Sequence, residues 1–164
     1  MEDYYFEDNA FRDDKLAIYV LVESTDIGAF VLKQVMGVSY NLDCIEKMLS
    51  ELKAKPEADD SSEYYVYRTQ QQDEHAYIPA FEIKEPVKGR CYLIARGYAA
   101  DAVDEIIGYY GDKEEATQAA EYAMSFYEAY DEIYIINAPL DTLLDPNESE
   151  VGAWDEDECQ ISFE

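Results

Sequence analysis

Residues 16–22 read Leu-Ala-Ile-Tyr-Val-Leu-Val, an apolar run with Lys15 before it and Glu23 after it. It is far shorter than the roughly 20 apolar residues that a membrane-spanning helix needs. It is also rich in β-branched residues and lacks the polar alternation of a half-solvated strand. It therefore reads as a central strand buried on both faces.

Outward from that run, Thr25 or Asp26 can cap a short helix through Met36, with Gly28 as its weak point. Asn41 is a good N-cap for a helix over 42–54. In it Leu42, Ile45, Met48, Leu49 and Leu52 make one apolar stripe, Glu51 and Lys55 can pair outside, and Pro56 ends the helix. Residues 56–63 form a polar loop. Tyr64–Thr69, Ala76–Ile83 and Arg90–Arg96 then read as a three-stranded antiparallel meander, with Pro79 marking a sheet edge or bulge. Residues 99–109 read as a short helix broken at Gly111. Asp112, with Glu115 three residues on, starts a helix over 113–130. Ala116, Ala119, Ala120, Ala123, Tyr127 and Tyr130 give its inward face. Ile133–Ile136 is a further strand, and Cys159–Phe163 an edge strand. No repeat of fixed period is visible. The expected architecture is α+β, a mixed or antiparallel sheet with helices packed on one face and a ferredoxin-like core as the candidate. It comprises an acidic, aromatic N-terminal arm (1–14), a single domain (15–140) and an acidic C-terminal segment (141–164).

Charge is unevenly spread. Thirty-eight Asp and Glu face twelve Lys and Arg, for a net charge of -26 on 164 residues. Residues 15–98 hold thirteen acids and ten bases, whereas 99–164 hold nineteen acids and one base, Lys113. Such a field repels nucleic acid and membrane surfaces and attracts basic proteins. With 48% apolar or aromatic residues the chain does not belong to the disordered class. A halophile's solvation shell would spread its acids evenly, and the near-neutral 15–98 stretch does not. Three distant cysteines without CxxC or Cys/His spacing, and an acidic, polar start, point to a reduced cytoplasmic compartment.

No constellation for catalysis, metal or cofactor emerges. His75 is the only histidine and lies in a polar turn. No Gly-rich phosphate loop is present, and close acid pairs such as Asp155 and Asp157 are inevitable at this acidity. Asp145, Asn147, Ser149 and Glu156 fall at positions 1, 3, 5 and 12 of an EF-hand-like loop, but Glu150 takes the place of its glycine.

The specific signal is a dense array of carboxylates without bases. Glu114, Glu121 and Glu128 recur every seven residues, a rise of about 10 Å per step on one helix face. Asp112, Glu115, Asp131 and Glu132 extend that row. Asp101, Asp104 and Glu105 form a neighbouring patch, and Asp155, Glu156, Asp157 and Glu158 a third. Duplex DNA carries about one negative charge per 1.7 Å of axis, so carboxylates on a rigid frame can stand in for phosphates.

In charge and size the chain resembles the acidic DNA-mimic anti-restriction and anti-defence proteins of phages and mobile elements. The resemblance implies a non-enzymatic inhibitor in the host cytoplasm. Its partner would be a basic nucleic-acid-binding protein or nuclease complex: a restriction enzyme, a CRISPR effector or a repair enzyme. No aligned motif carries residue roles across. Residues 114–136 also look like the helix-then-strand unit of small phage enzymes that destroy S-adenosylmethionine, which gives an alternative. An acidic adaptor or chaperone for a basic protein is another. A two-fold dimer through the edge strand 159–163 would lengthen the acidic face.

Overall fold

The apolar run enters the structure at Ile18 as the start of β2 (Ile18–Asp26), an interior strand that continues four residues beyond Val22. The structure, a computed structural model, describes residues 4–8, 17–26, 28, 31–55, 62–69, 87–99, 102–124, 132–145, 150–155, 158 and 160–163. Besides β2 these form β1 (Tyr5–Asp8), β3 (Val31–Ser39), α1 (Leu42–Lys53), β4 (Glu63–Thr69), β5 (Arg90–Ala99), β6 (Ala102–Tyr110), α2 (Lys113–Met124), β7 (Glu132–Pro139), β8 (Val151–Asp155) and β9 (Gln160–Phe163).

The strands follow one order, β1-β4-β2-β3-β6-β5-β7-β8-β9. Among the described residues only the pair Lys33↔Ala102 joins β3 to β6 in parallel. The order therefore divides into a mixed half, β1-β4-β2-β3, and an antiparallel half, β6-β5-β7-β8-β9.

Both halves are built on one plan, a hairpin followed by a helix and a returning strand. β2 and β5 are the central strands, β3 and β6 pair on one side of them, and β4 and β7 on the other. The registers coincide. Tyr19 faces Ser39 and Arg68 as Tyr92 faces Tyr110 and Asn137. Each hairpin carries a bulge at the same place. Leu21 pairs with Gly37 and Val22 with Val35, skipping Met36, while Ile94 pairs with Gly108 and Ala95 with Ile106, skipping Ile107. Each helix has twelve residues and begins three residues after its strand ends. From Ile18 to Ser24 and from Cys91 to Gly97 the sequence of buried and half-buried positions is the same.

A chain with a buried central strand must cover both its faces. Ile18, Val20 and Val22 meet Cys91, Leu93 and Ala95 in one core between the halves, with Val35, Val38, Val103, Ile106 and Tyr109. The opposite face of β2 presents Leu21 to Ile45, Met48, Leu49 and Leu52 of α1. The opposite face of β5 presents Ile94 to Ala116, Ala119 and Ala120 of α2. Burying one such aliphatic side chain contributes about 1.5–3 kcal/mol. Where α2 has alanines, its sheet supplies the bulk. Fully buried Tyr110 stands where the first half has Ser39.

The α+β class is as expected, but the arrangement differs in five ways. The helices lie on separate outer faces, one per half, because each covers its own central strand. A ferredoxin-like core is not confirmed, since the order of elements is the hairpin–helix–strand unit used twice. The helix expected over 25–36 is the end of β2 and most of β3, turned at Gly28, whose φ is 94° and whose N–H donates to Asp26 Oδ1 at 2.8 Å. The helix expected over 99–109 is the end of β5 and the body of β6. The first misreading follows from the possible caps at Thr25 and Asp26. In the second, bulges at Asp104 and Ile107 change the inward spacing from two to three, so Val103, Ile106 and Tyr109 fall at helix-like intervals. The meander over 64–96 does not form. β4 lies between β1 and β2, and β5 between β6 and β7. The expected strand 76–83 lies outside the described residues.

Other expectations hold. Asn41 caps α1, its side chain accepting from Asp43 N–H at 2.8 Å. The stripe is buried at Ile45, Met48, Leu49 and Leu52. β7 and β9 lie at the expected strands, β9 last in the order.

After β7 the chain returns to the first half. Leu140 bridges Val38, Leu143 bridges Gly37, and Leu144 N–H donates to Met36 O at 2.8 Å. Asp141, at φ 66°, accepts from Ser39 Oγ, and Cys44 Sγ donates to Asp141 O at 3.7 Å. Residues 140–144 thus cover the part of the β3 edge that β6 leaves open. A Cβ at Gly37 would overlap Met48 Sδ and sit 3.5 Å from Thr142 O. Gly37→Ala should therefore force Met48 aside and cost about 1–3 kcal/mol, read as a lower urea midpoint with unchanged slope.

Candidate functional site: the acidic face of the second half

The carboxylates of α2 begin with its cap. Asp112 Oδ1 accepts from Glu114 N–H at 2.8 Å and Glu115 N–H at 3.2 Å, satisfying two donors that a helix start leaves open. Glu114 and Glu115 follow in the first turn, where the helix dipole favours negative charge. Glu114 is exposed and Glu115 half-buried. One turn is thus locally stabilised by three acids while it presents their charge to solvent.

The next carboxylate has a different task. Glu121 Oε1 accepts from Ile161 N–H at 3.0 Å, tying α2 to β9. Lys113 Nζ lies 2.8 Å from Glu150 Oε1 and 4.1 Å from the ring centroid of Phe163. The single base of residues 99–164 is therefore held by β9 and by the residue before β8. Glu158 is exposed and accepts from Gln160 Nε2 at 2.6 Å.

The structure thus brings Asp112, Glu114, Glu115, Glu121 and Glu158 together around α2 and β9. Glu132 opens β7 and Asp155 closes β8. Asp104 and Glu105 belong to the strand β6, not to a helix patch. Asp101, Glu128, Asp131, Glu156 and Asp157 lie outside the described residues. Sequence reasoning found the cap of α2. It missed that Glu121 serves the fold and that Lys113 is engaged, because both depend on β9 folding back against α2.

Beneath α2, burial and the nearby charge of Glu115 raise the pKa of the Tyr110 hydroxyl. Burial pushes the Cys91 thiol up to about 12. Cys44 and Cys91 are free thiols. A cavity of about 450 Å³ opens at the start of β5, lined by Arg90, Asn137, Pro139, Leu143, Leu144, Asp145 and Glu150. Its polar side chains are one guanidinium, one amide and two carboxylates, with no thiol or imidazole among the described lining. Asp145 is the one member of the EF-hand-like pattern in the described residues. No group of three or more His, Cys, Asp or Glu suited to a metal ion occurs among those residues. Among the described residues no helix is long and apolar enough to cross a membrane.

Compared with protein-family models, with curated proteins and with solved structures, the chain matches none.

Two outcomes follow for stability. Glu121→Ala leaves the Ile161 N–H without its acceptor and should cost about 1 kcal/mol, whereas Glu114→Gln should stay within about 0.5 kcal/mol of the parent in urea melts. The Cys91 and Tyr110 protons are held more tightly in the folded state than in the unfolded chain. Their stabilisation is intact below the ordinary thiol value of 9.0 and is lost as pH rises toward about 12. Urea midpoints should fall across that window, and native Cys91 should resist alkylation while half-buried Cys44 reacts first.

Proposed function

We propose that the protein is a non-enzymatic inhibitor that places its acidic second half in the basic nucleic-acid channel of a host defence or DNA-processing protein. The observation that carries this reading is the state of Lys113. Residues 99–164 contain no other base, and this one is already paired with Glu150. That stretch has no further cation of its own with which to neutralise Asp112, Glu114 and Glu115. Their charge is available to arginines and lysines brought by a partner.

Rigidity supports the same reading. The carboxylates stand on a helix packed against a sheet, so little ordering entropy is lost when a partner engages them. The field they create would speed encounter with a basic cleft and would weaken with salt. Candidate partners are restriction enzymes, CRISPR effectors and repair enzymes of the cytoplasm. A free basic protein would engage the same charges through an adaptor role.

A second reading, a small anti-restriction enzyme acting on S-adenosylmethionine, draws on the cavity beside Arg90. Its volume lies within the range of about 300–1,000 Å³ typical of small-ligand sites, and Arg90, Asn137 and Asp145 give its lining polar groups.

The test is capture from a bacterial lysate at low salt, with a salt gradient and added DNA as competitor. Mimicry predicts one nuclease or defence complex displaced by DNA, with affinity falling at least about tenfold between about 50 and 500 mM salt. Glu114→Lys with Glu158→Lys should weaken capture about tenfold or more, and Glu51→Lys on α1 should not. Affinity that is flat with salt would overturn the reading. Incubation with S-adenosylmethionine should leave it intact, and its turnover would establish the second reading instead.

A further inference from the structure

A stack of three tyrosines lies at the other end of the strand order. The ring of Tyr5 on β1 stacks on Tyr65 of β4 at 5.2 Å and 29°, and Tyr65 stacks on Tyr67 at 6.2 Å and 19°. Phe6 tilts against Tyr19 at 6.2 Å. Tyr5 and Phe6 are 56% and 44% exposed despite their size. Both sit on the strand that ends the order on this side.

Carboxylates rim the stack. Glu7 and Glu63 are exposed, and Tyr65 OH donates to Glu63 Oε2 at 3.4 Å. A cation already uses the stack, since Lys33 Nζ lies 5.1 Å from the Tyr65 centroid. Exposed rings flanked by carboxylates are suited to ammonium or guanidinium groups, which gain from the ring face and the ion pair together.

The duplicated plan shows what this edge lacks. β7 is followed outward by β8 and β9, and Tyr134, the counterpart of Tyr65, is buried at 8% exposure. β4 is followed, among the described residues, by β1 alone, and Tyr65 is only half-buried. Among the described residues the first half is one strand shorter than the second.

We propose that the edge of β1 binds an extended segment of a partner protein bearing lysines or arginines, added as a strand in the place that β9 holds in the other half. Main-chain hydrogen bonds would provide affinity, as in other strand additions. Cationic side chains at alternate positions of the segment would reach Tyr5, within range of Glu7 and Glu63, and the residues between them would pack on Phe6 on the other face. A second copy of this chain fits less well, because it would bring the acidic edge of one β1 against another. The proposal uses a surface apart from the acidic face of α2 and stands whether or not that face mimics nucleic acid.

The test titrates the full-length, ¹⁵N-labelled protein with a peptide of about eight residues alternating Arg and Thr, against a Glu-Thr peptide as control. The expected result is movement of the Tyr5–Asp8 and Tyr65 amides with the Arg-Thr peptide alone. Binding should weaken about fivefold in Tyr5→Ala and in Phe6→Ala and recover in Tyr5→Phe, which keeps the ring. Thermal melts of the same variants confirm that they fold. Movement confined to 112–121 and 158–163, equal in parent and Tyr5→Ala, would overturn the proposal. So would absence of binding, or a dimer in ultracentrifugation that Tyr5→Ala abolishes. Loss of nuclease capture in the Glu114→Lys, Glu158→Lys variant would leave these amide movements unchanged, so the two readings fail separately.

Discussion

Everything in this architecture depends on two strands that tolerate no water on either face. β2 and β5 each present Val, Leu, Ile or Ala to both sides, so each needs a cover above and below. The two strands supply one cover to each other through the shared core. The other cover must come from elsewhere, and each half answers with its own helix. Once that is fixed, the hairpin bulges, the caps at Asn41 and Asp112 and the return of residues 140–144 all serve to keep these four layers in contact.

The two halves meet the same requirement with different volumes. α1 brings Ile45, Met48 and Leu49 to its sheet, and Gly37 makes room for Met48. α2 brings three alanines, and Tyr110 with Ile133 and Ile135 fills the space from below. Their outer faces differ as well. α1 mixes Lys47 and Lys53 with Asp43, Glu46 and Glu51, whereas the first turn of α2 is acidic and its last turn has no base. One folding plan thus carries a balanced surface in one copy and a strongly anionic one in the other.

Much of this was legible in the residues. β2 announced itself as a continuous apolar run, α1 by a stripe between Asn41 and Pro56, and the start of α2 by Asp112. What was not legible has physical origins. Bulges at Asp104 and Ile107 turned strand periodicity into helical spacing, so β6 looked like a helix, while Thr25 and Asp26 offered caps that made β3 look like one. β4 and β5 looked like neighbours because they are consecutive strands in the described chain, yet they serve different halves. The duplication itself was hidden because core volume moved between helix and sheet, leaving few shared identities such as Tyr19 with Tyr92 and Gly37 with Gly108. For the acidic face, charge density was plain from composition. That Glu121 and Lys113 are engaged depended on where β9 lies, which no local pattern encodes.

The return of residues 140–144 to β3 has a bearing on how the chain is made. The first half has emerged from a ribosome long before Leu140, Leu143 and Leu144, yet these residues finish its hydrogen bonding, Leu140 and Leu144 against the shared core and Leu143 against the α1 cluster. During synthesis the edge of β3 therefore waits, unpaired and apolar, for some seventy residues that follow α1 and β4 to arrive. Local elements form early and the closing contacts come last, the sequence of events expected where partners lie far apart along the chain. The half with the balanced surface is translated first and completed last, under a clamp supplied by its acidic twin.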